Sequence, residues 1–230
     1  QMFKPYGLRA EALLPCYGLA EHTLAAAFSP VNTGMIVDRV QTEALARGHA
    51  VPVNDEATAT RHGVMQVASC GRSFPGHEIK IIDGEGNPLG ERTVGEILLR
   101  GPSVAQGYFE DAEATALTWH DGWLHTGDLG YLADGNLHVC GRTKDLIIVH
   151  GRNYHPQDIE WEAAQMQGGR RGNVVAFSFE DPELGREHVI IAAETKLSVE
   201  LHGQLQQAIR SRLLEALSLA VDHVLLVPPH

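Results

Sequence analysis

Apolar and polar residues alternate in two stretches near the middle of the chain, and each stretch predicts a β-strand. The stretches cover residues 77–82 and 95–100, and the run 83–88 between them is rich in turn-forming Asp, Gly, Asn and Pro. A further hairpin is expected over residues 131–139, because its central Asp-Gly pair favours the tight turns that match strand twist. The middle of the chain is therefore predicted to be rich in antiparallel β-sheet.

Weaker patterns flank this region. The apolar run 12–16 predicts a short buried strand, whereas residues 31–62 show no clean period and are expected to be irregular with short strands. A short helix with acidic residues in its first turn is expected at about 111–119. Together these elements predict a β-rich domain at residues 1–143.

From residue 144 onward the pattern changes to alternating strands and helices. Pro156 suits the first turn of a helix that carries Ile159, Ala163 and Met166 on one face. The other expected elements are strands at 146–149, 173–179, 188–193 and 223–227 and a helix at 201–219. We predict a small α+β domain at residues 144–230, so that the chain as a whole belongs to the mixed α/β and α+β class.

Charge and composition exclude some partners. The 230-residue chain carries a formal net charge of −11, which argues against nucleic acid because such partners reward basic faces. The same charge disfavours an anionic membrane surface, and no apolar run reaches the length of a membrane span. The three cysteines include no Cys-x-x-Cys pair, so we expect reduced thiols, no zinc site and a cytoplasmic protein.

Two glycine-punctuated runs carry the strongest candidate chemistry. The first, residues 126–129, contains Asp128, and the second, residues 141–145, contains Arg142. We expect the acid and the base to lie at two turns that flank the hairpin. There they can converge on a polar ligand such as the paired hydroxyls of a ribose. An ordinary turn aspartate and a surface arginine remain the alternatives.

Three further residues have both a functional and a structural interpretation. The ring of Tyr17 could stack on a base, and Glu21 could hold a magnesium ion that bridges phosphate oxygens. The alternative is a buried tyrosine and a solvated glutamate. Lys144, at the expected domain boundary, is either a hinge or a solvated linker residue. The sequence contains neither a Gly-x-x-x-x-Gly-Lys phosphate loop nor a serine nucleophile elbow, and its histidines lack metal-ligand spacing.

Taken in the order in which they occur along the chain, the motifs resemble those of the adenylate-forming enzymes. That superfamily includes acyl-CoA synthetases, the adenylation domains of peptide synthetases and luciferases. The resemblance rests on segments 17–21, 94–97, 101–108, 122–130 and 141–145 and runs over nearly the whole chain. Within the superfamily, segment 151–160 is most similar to the fatty acyl-AMP ligases.

The resemblance implies a role for each candidate residue. The implied nucleotide-binding residues are Tyr17, Gly18, Ala20, Glu21, Asp128 and Arg142. Among them, Tyr17 would stack on adenine, Glu21 would be the ligand of Mg²⁺, and Asp128 would accept the ribose hydroxyls with Arg142 as its cationic companion. Lys144 would be the hinge between the two domains.

The resemblance also implies the reaction. ATP would activate a long-chain fatty acid to an acyl adenylate, and the acyl group would pass to an acyl carrier protein or to a carrier domain of a polyketide or peptide synthase. Residues 1–143 would be the distal part of the large domain, and residues 144–230 a small domain truncated before its end. The phosphate loop would precede Gln1 and the catalytic lysine would follow His230, so we expect residues 1–230 alone to be inactive in adenylation.

Two alternatives to this function remain open. One is a long-chain acyl-CoA synthetase of the same superfamily. The other is a non-catalytic module that docks a carrier protein.

Overall fold

The structure, a computed structural model, describes residues 3–53, 63–166, 168–181 and 186–229. It divides into two compact units. The first unit consists of residues 1–55 and 65–143, and the second of residues 56–64 and 144–230. Each unit combines β-sheet with helix. Within the described residues, no helix has both the length and the apolar character needed to cross a membrane.

The first unit is predominantly β-structure. Its strands are β1 (Cys16–Tyr17), β2 (Ala27–Phe28), β3 (Val37–Gln41), β4 (Val64–Ala68), β5 (Arg72–Ser73), β6 (Glu78–Ile82), β7 (Gly95–Arg100), β8 (Trp119–His120), β9 (Trp123–Ala133) and β10 (Asn136–Arg142). Its α-helices are α1 (Thr42–Leu45) and α2 (Ala112–Thr118), and 3₁₀ turns lie at Lys4–Tyr6, Ala10–Ala12 and Ala20–His22. The strands form the sheets β1-β2-β5, β3-β4 and β10-β9-β7-β6, and β8 pairs with β9.

The sheet β10-β9-β7-β6 carries the main core of the first unit. Its neighbouring strands are antiparallel, and β6 and β7 confirm the two strands that the alternating pattern predicted. The apolar side chains that share this core are at most 2% exposed: Ile81, Ile97, Leu99, Leu124 and Leu137. Full burial of one such side chain stabilises a fold by roughly 1.5–3 kcal/mol. This core therefore supports strands β9 and β10, which carry Asp128 and Arg142.

The hairpin of β9 and β10 is longer than the sequence pattern predicted. Its turn residues, Asp134 and Gly135, have φ values of 51° and 71°, which confirms the predicted Asp-Gly turn. The paired strands extend from Trp123 to Arg142. As a consequence, Asp128 lies inside a strand, and the prediction that it lies at a turn was wrong.

The flanking segments give mixed outcomes. The buried strand predicted at 12–16 was wrong, because Leu13 is 46% exposed and the chain becomes extended in a sheet only at Cys16. Pro15, which has no N–H to donate to a strand partner, breaks the apolar run. Helix α2 confirms the prediction at 111–119, and the Asp111 side chain caps it by accepting a hydrogen bond from the Ala114 N–H.

The region 31–62 was expected to be irregular with short strands. It contains strand β3 and, directly after it, the short helix α1. Residues 54–62 of this region lie outside the described residues.

The second unit is a small α+β structure. Its elements are a 3₁₀ turn (Thr143–Asp145), β11 (Ile147–Val149), β12 (Arg152–Tyr154), α3 (Pro156–Ala163), β13 (Gly169–Asp181), β14 (Arg186–Thr195), α4 (Val199–Leu217) and β15 (His223–Val227). Strands β13, β14 and β15 form one sheet, in which β14 is antiparallel to β13 and parallel to β15. Helix α4 connects the two parallel strands, as parallel strands require a crossover connection.

The helices of the second unit follow the apolar period of the sequence, with two differences. Leu205, Ile209, Leu213 and Leu217 of α4 are buried. Leu201 at its start is 39% exposed. Pro156 begins α3 as predicted, but the helix ends at Ala163, so Met166 lies outside it. Residues 164–166 form a turn and a bend instead.

Candidate functional site

A one-residue bulge places Asp128 opposite Arg142. From the turn, β9 and β10 pair without a break as far as Gly130 and Val139, and the register then shifts past Cys140. Beyond the shift, Asp128 faces Arg142. Without the extra residue, Asp128 would face a glycine, because a one-residue slip changes every cross-strand partner.

The Asp128 carboxylate is held between two donors. Its Oδ1 accepts a hydrogen bond of 2.8 Å from Nε of Arg142, and its Oδ2 accepts one of 2.6 Å from the Tyr17 hydroxyl. Asp128 is 7% exposed, whereas the Arg142 side chain is 51% exposed. Because each carboxylate oxygen has two lone pairs, both oxygens can accept a further hydrogen bond. The acid and the base do converge, and what they contact here is each other.

Tyr17 is held as a donor in this cluster. Burial raises the pKa of Tyr17 well above its usual 10.0, and the hydrogen bond to Asp128 raises it further. The phenol therefore keeps its proton throughout the neutral range. Its ring packs against the core of the β10-β9-β7-β6 sheet, so both ends of the side chain are fixed.

Thr126 orients the backbone that carries Asp128. The Thr126 hydroxyl donates to the carbonyl of Ile97 at 2.7 Å and accepts from the Asp128 N–H at 3.0 Å. Between them, Gly127 has a φ of 67°, a conformation that favours glycine. The conformation and hydrogen bonds of the run Thr126-Gly127-Asp128 thus fix the position of the Asp128 carboxylate.

The segment from Tyr17 to Glu21 is compact and is joined to a second segment. A Cβ on Gly18 would lie 1.8 Å from the carbonyl oxygen of Leu24, so only glycine fits there. The Glu21 carboxylate accepts a 2.7 Å hydrogen bond from the Tyr108 hydroxyl, and the Ala105 N–H donates to the Glu21 carbonyl at 2.8 Å. The bond to Glu21 raises the pKa of Tyr108. Segments 17–21 and 101–108 are therefore held together at Glu21.

Comparison with known proteins identifies the class of this site. Residues 3–109 match the family model of the AMP-binding enzymes, and the segment Tyr17–Glu21 lies inside the matched range. Residues 3–109 belong to the AMP-binding enzyme family. The predicted resemblance is confirmed at the level of the family.

Three curated relatives match most of the chain. A probable long-chain-fatty-acid–AMP ligase, FadD30 of Mycobacterium tuberculosis, is 34% identical over 249 residues and covers 99% of this chain. A putative acyl-CoA synthetase of Caulobacter vibrioides is 37% identical over 85% of the chain. The medium-chain-fatty-acid–[acyl-carrier-protein] ligase JamA of Moorena producens is 35% identical over 86%. The chain itself spans 41%, 34% and 34% of these relatives.

A solved structure agrees over the same range. It comes from work on fatty acyl-adenylate ligases of E. coli and L. pneumophila, and it is 39% identical with a TM-score of 0.85. The match covers 99% of this chain and 40% of the other. It confirms the predicted mixed α+β fold class.

The structure groups the predicted site residues unevenly. Tyr17, Asp128 and Arg142 form one cluster, while Glu21 lies in a second contact with Tyr108. Gly18 lies where a side chain would clash with the Leu24 carbonyl, and Ala20 begins the 3₁₀ turn Ala20–His22. Lys144 is exposed in the 3₁₀ turn Thr143–Asp145 and is grouped with the second unit.

The sequence patterns did not identify the residues that support this site. Thr126 and Tyr108 stood in the motifs but received no role, although a hydroxyl next to a functional acid is a common supporting group. Glu96 also received none, and its contact with Gly127 depends on strand pairing that local sequence does not reveal. Among the described residues, no three His, Cys, Asp or Glu side chains are grouped to hold a metal ion.

Proposed function

We propose that the chain is the nucleotide-binding part of an ATP-dependent fatty acid ligase. The enzyme forms an acyl adenylate and then transfers the acyl group to a carrier protein. The observation that carries the proposal is the Asp128 carboxylate, fixed between the Tyr17 hydroxyl and Arg142. The names of two relatives, a long-chain-fatty-acid–AMP ligase and an acyl-carrier-protein ligase, support the same reaction.

The carboxylate of Asp128 suits the ribose of AMP. It is nearly buried and has lone pairs left for the 2′ and 3′ hydroxyls, as acidic residues use on other nucleotide riboses. Arg142 is the cationic partner of the carboxylate and can turn its exposed guanidinium to the ligand. The Tyr17 ring supplies an aromatic face for adenine.

Glu21 fits a magnesium site of the kind that serves nucleotides. Mg²⁺ is commonly bound by one or two carboxylates together with substrate phosphates and water. One carboxylate, steadied by the Tyr108 hydroxyl at 2.7 Å, meets that need. When bound, Mg²⁺ would neutralise charge on the phosphate oxygens.

The reaction has two half-reactions. In the first, an oxygen of the fatty carboxylate attacks the α-phosphorus of ATP, the bond between the α-phosphorus and its bridging oxygen breaks, and pyrophosphate leaves. In the second, a pantetheine thiolate attacks the acyl carbon of the adenylate and AMP leaves. Asp128, Arg142 and Tyr17 hold the nucleotide in both steps. We place the hinge between the steps at Lys144.

Pyrophosphate exchange tests the first half-reaction. The natural protein that contains this sequence should exchange labelled pyrophosphate into ATP when a fatty acid is present, and Asp128→Ala should reduce the exchange at least tenfold. Glu113→Ala is a matched control, because Glu113 is exposed in helix α2, where alanine is well tolerated. No fatty-acid-dependent exchange by the natural protein would favour the non-catalytic docking module.

The thiol acceptor separates a carrier-protein ligase from an acyl-CoA synthetase. One relative is named an acyl-CoA synthetase, which keeps coenzyme A as the second candidate. With both thiols offered at equal concentration, we expect acylation of the carrier protein to exceed that of coenzyme A at least tenfold. Preferential acyl-CoA formation would contradict the proposed acceptor.

A further inference from the structure

Strand β9 has a second irregularity, which includes Asp128 and lies in its pairing with strand β7. Leu129 pairs with Glu96, and His125 pairs with Leu98. Between these two pairs, β9 has the three residues 126–128, whereas β7 has only Ile97. The run Thr126-Gly127-Asp128 is therefore a bulge, and bulges redirect side chains and leave backbone groups without ladder partners.

Side chains take over the missing backbone hydrogen bonds of this bulge. Thr126 accepts from the Asp128 N–H, as described above. The Gly127 N–H donates to Oε1 of Glu96 at 3.1 Å. A partly buried N–H needs such an acceptor, because leaving it unpaired is costly. Glu96 thus supplies the acceptor that the strand itself cannot supply.

The Glu96 side chain is itself fixed. Its Oε2 lies 3.4 Å from Nδ1 of His125, and the His125 ring stacks on His120 with ring centroids 3.6 Å apart. The side chain of Glu96 is 26% exposed and that of His125 is 16% exposed. A carboxylate held at both oxygens has one preferred rotamer, so it can set the position of the Gly127 amide.

We propose that Glu96 is a positioning residue for nucleotide binding, which it serves by holding the Thr126–Asp128 bulge so that Asp128 points to Tyr17 and Arg142. Glu96 acts through the Gly127 backbone and needs no contact with the nucleotide. The inference rests on the proposed function only in naming the nucleotide as the ligand of Asp128. The claim that Glu96 holds the bulge in place rests only on the contacts of Glu96 with Gly127 and His125.

Two substitutions separate the effect of the length of the Glu96 side chain from the effect of its charge. Glu96→Gln keeps the length and an oxygen acceptor for the Gly127 N–H, and its amide can donate to His125. Glu96→Asp keeps the charge but is one methylene shorter, so its carboxylate withdraws from Gly127. We expect Glu96→Gln to bind AMP within about threefold of the wild type and Glu96→Asp to bind about tenfold more weakly.

Glu78→Asp is the matched control. Glu78 lies in strand β6 of the same sheet, and its carboxylate binds the exposed Arg100 at 2.6 Å rather than the bulge. Shortening one side chain of an exposed ion pair has little effect on stability, because such pairs contribute little to it. We expect this variant to bind AMP like the wild type.

The experiment is calorimetric AMP titration together with hydrogen exchange of residues 123–130 in the absence of nucleotide. Faster exchange in Glu96→Asp, normal exchange in Glu96→Gln and the affinities given above would support the proposal. Equal exchange in all variants would overturn the proposal, because Glu96 would then not hold the bulge. Weak AMP binding by Glu96→Gln alone would also overturn it, because the charge of Glu96 would then matter and the length of its side chain would not. If the wild type binds no AMP, the proposed function fails, and the exchange data still decide whether Glu96 holds the bulge.

Discussion

Two ionisable side chains in the second unit, His155 and Asp158, have pKa values shifted in opposite directions. Burial lowers the pKa of His155 from 6.5 to about 4. Burial, and then the neighbouring charge of Glu162, raise the pKa of Asp158 from 3.8 to about 6. Both groups lie at the start of α3, His155 just before it and Asp158 in its first turn. Each group is neutral over much of the range from pH 4 to 6.

The two shifts have opposite consequences for stability. Between pH 6.5 and about 4, unfolded His155 takes up a proton and folded His155 does not, so stability is lost as the pH falls. Between pH 3.8 and about 6, unfolded Asp158 releases a proton and folded Asp158 keeps it, so stability is lost as the pH rises. From about pH 4 to 6 the two contributions therefore cancel in large part.

We predict that Asp158→Asn removes this cancellation. Acidification from pH 6.5 to 4 should then destabilise the variant relative to the wild type by about 2 to 3 kcal/mol, since one pKa unit corresponds to about 1.4 kcal/mol. Urea unfolding at both pH values measures the difference. Asp145→Asn, at an exposed site, is the control and should follow the wild type. Parallel pH profiles for Asp158→Asn and the wild type would refute the opposing shifts.

The hairpin of β9 and β10 is the element on which the site depends. Gly130 lies two residues from Asp128 and pairs with both neighbouring strands. A Cβ at Gly130 would lie 2.5 Å from the carbonyl oxygen of His138 and 2.9 Å from the Ile97 side chain. The strands can approach so closely there only because this residue has no side chain.

We predict that Gly130→Ala destabilises the first unit by about 1 to 3 kcal/mol, the usual cost of overpacking, and weakens AMP binding by displacing β10 and Arg142. Thermal unfolding and AMP titration measure the two effects. Gly90→Ala is the control, because a Cβ there meets no atom within 4 Å. Equal stability of the two variants would show that the strands tolerate a side chain at Gly130.

The hairpin also marks how far local sequence can predict the site. The Asp-Gly turn was predictable because its conformational preference is local. The pairing of Asp128 with Arg142 was not, because it depends on a bulge at Cys140 that leaves no sequence signal. The contact of Glu96 with Gly127 joins residues 31 positions apart, and only the packed sheet brings them together. The residue types were thus recognisable, whereas the contacts that position them were not.

At the scale of the whole molecule, the chain consists of two units, and one of the boundaries between them in the sequence lies between Thr143 and Lys144. A lysine in an exposed 3₁₀ turn can change its backbone angles without loss of buried contacts. This position is suited to the hinge that the two half-reactions of the proposed function require.

We predict that Lys144→Pro in the natural protein uncouples the half-reactions, because proline fixes φ and restricts the preceding residue. Pyrophosphate exchange should stay within about threefold of the wild type, whereas acyl transfer to the thiol should slow at least tenfold. Lys144→Ala, which leaves the backbone free, should change neither rate by more than about threefold. Normal acyl transfer by Lys144→Pro would place the hinge elsewhere.

The central claim is that Asp128 binds the ribose of an adenine nucleotide, and the most direct test compares AMP with 2′,3′-dideoxy-AMP. By calorimetry, the wild type should bind AMP at least tenfold more tightly, because the dideoxy analogue leaves the buried carboxylate without its ribose partners. Asp128→Asn, which keeps the size of the side chain, should lose most of this preference. Equal affinity of the wild type for both nucleotides would contradict the account.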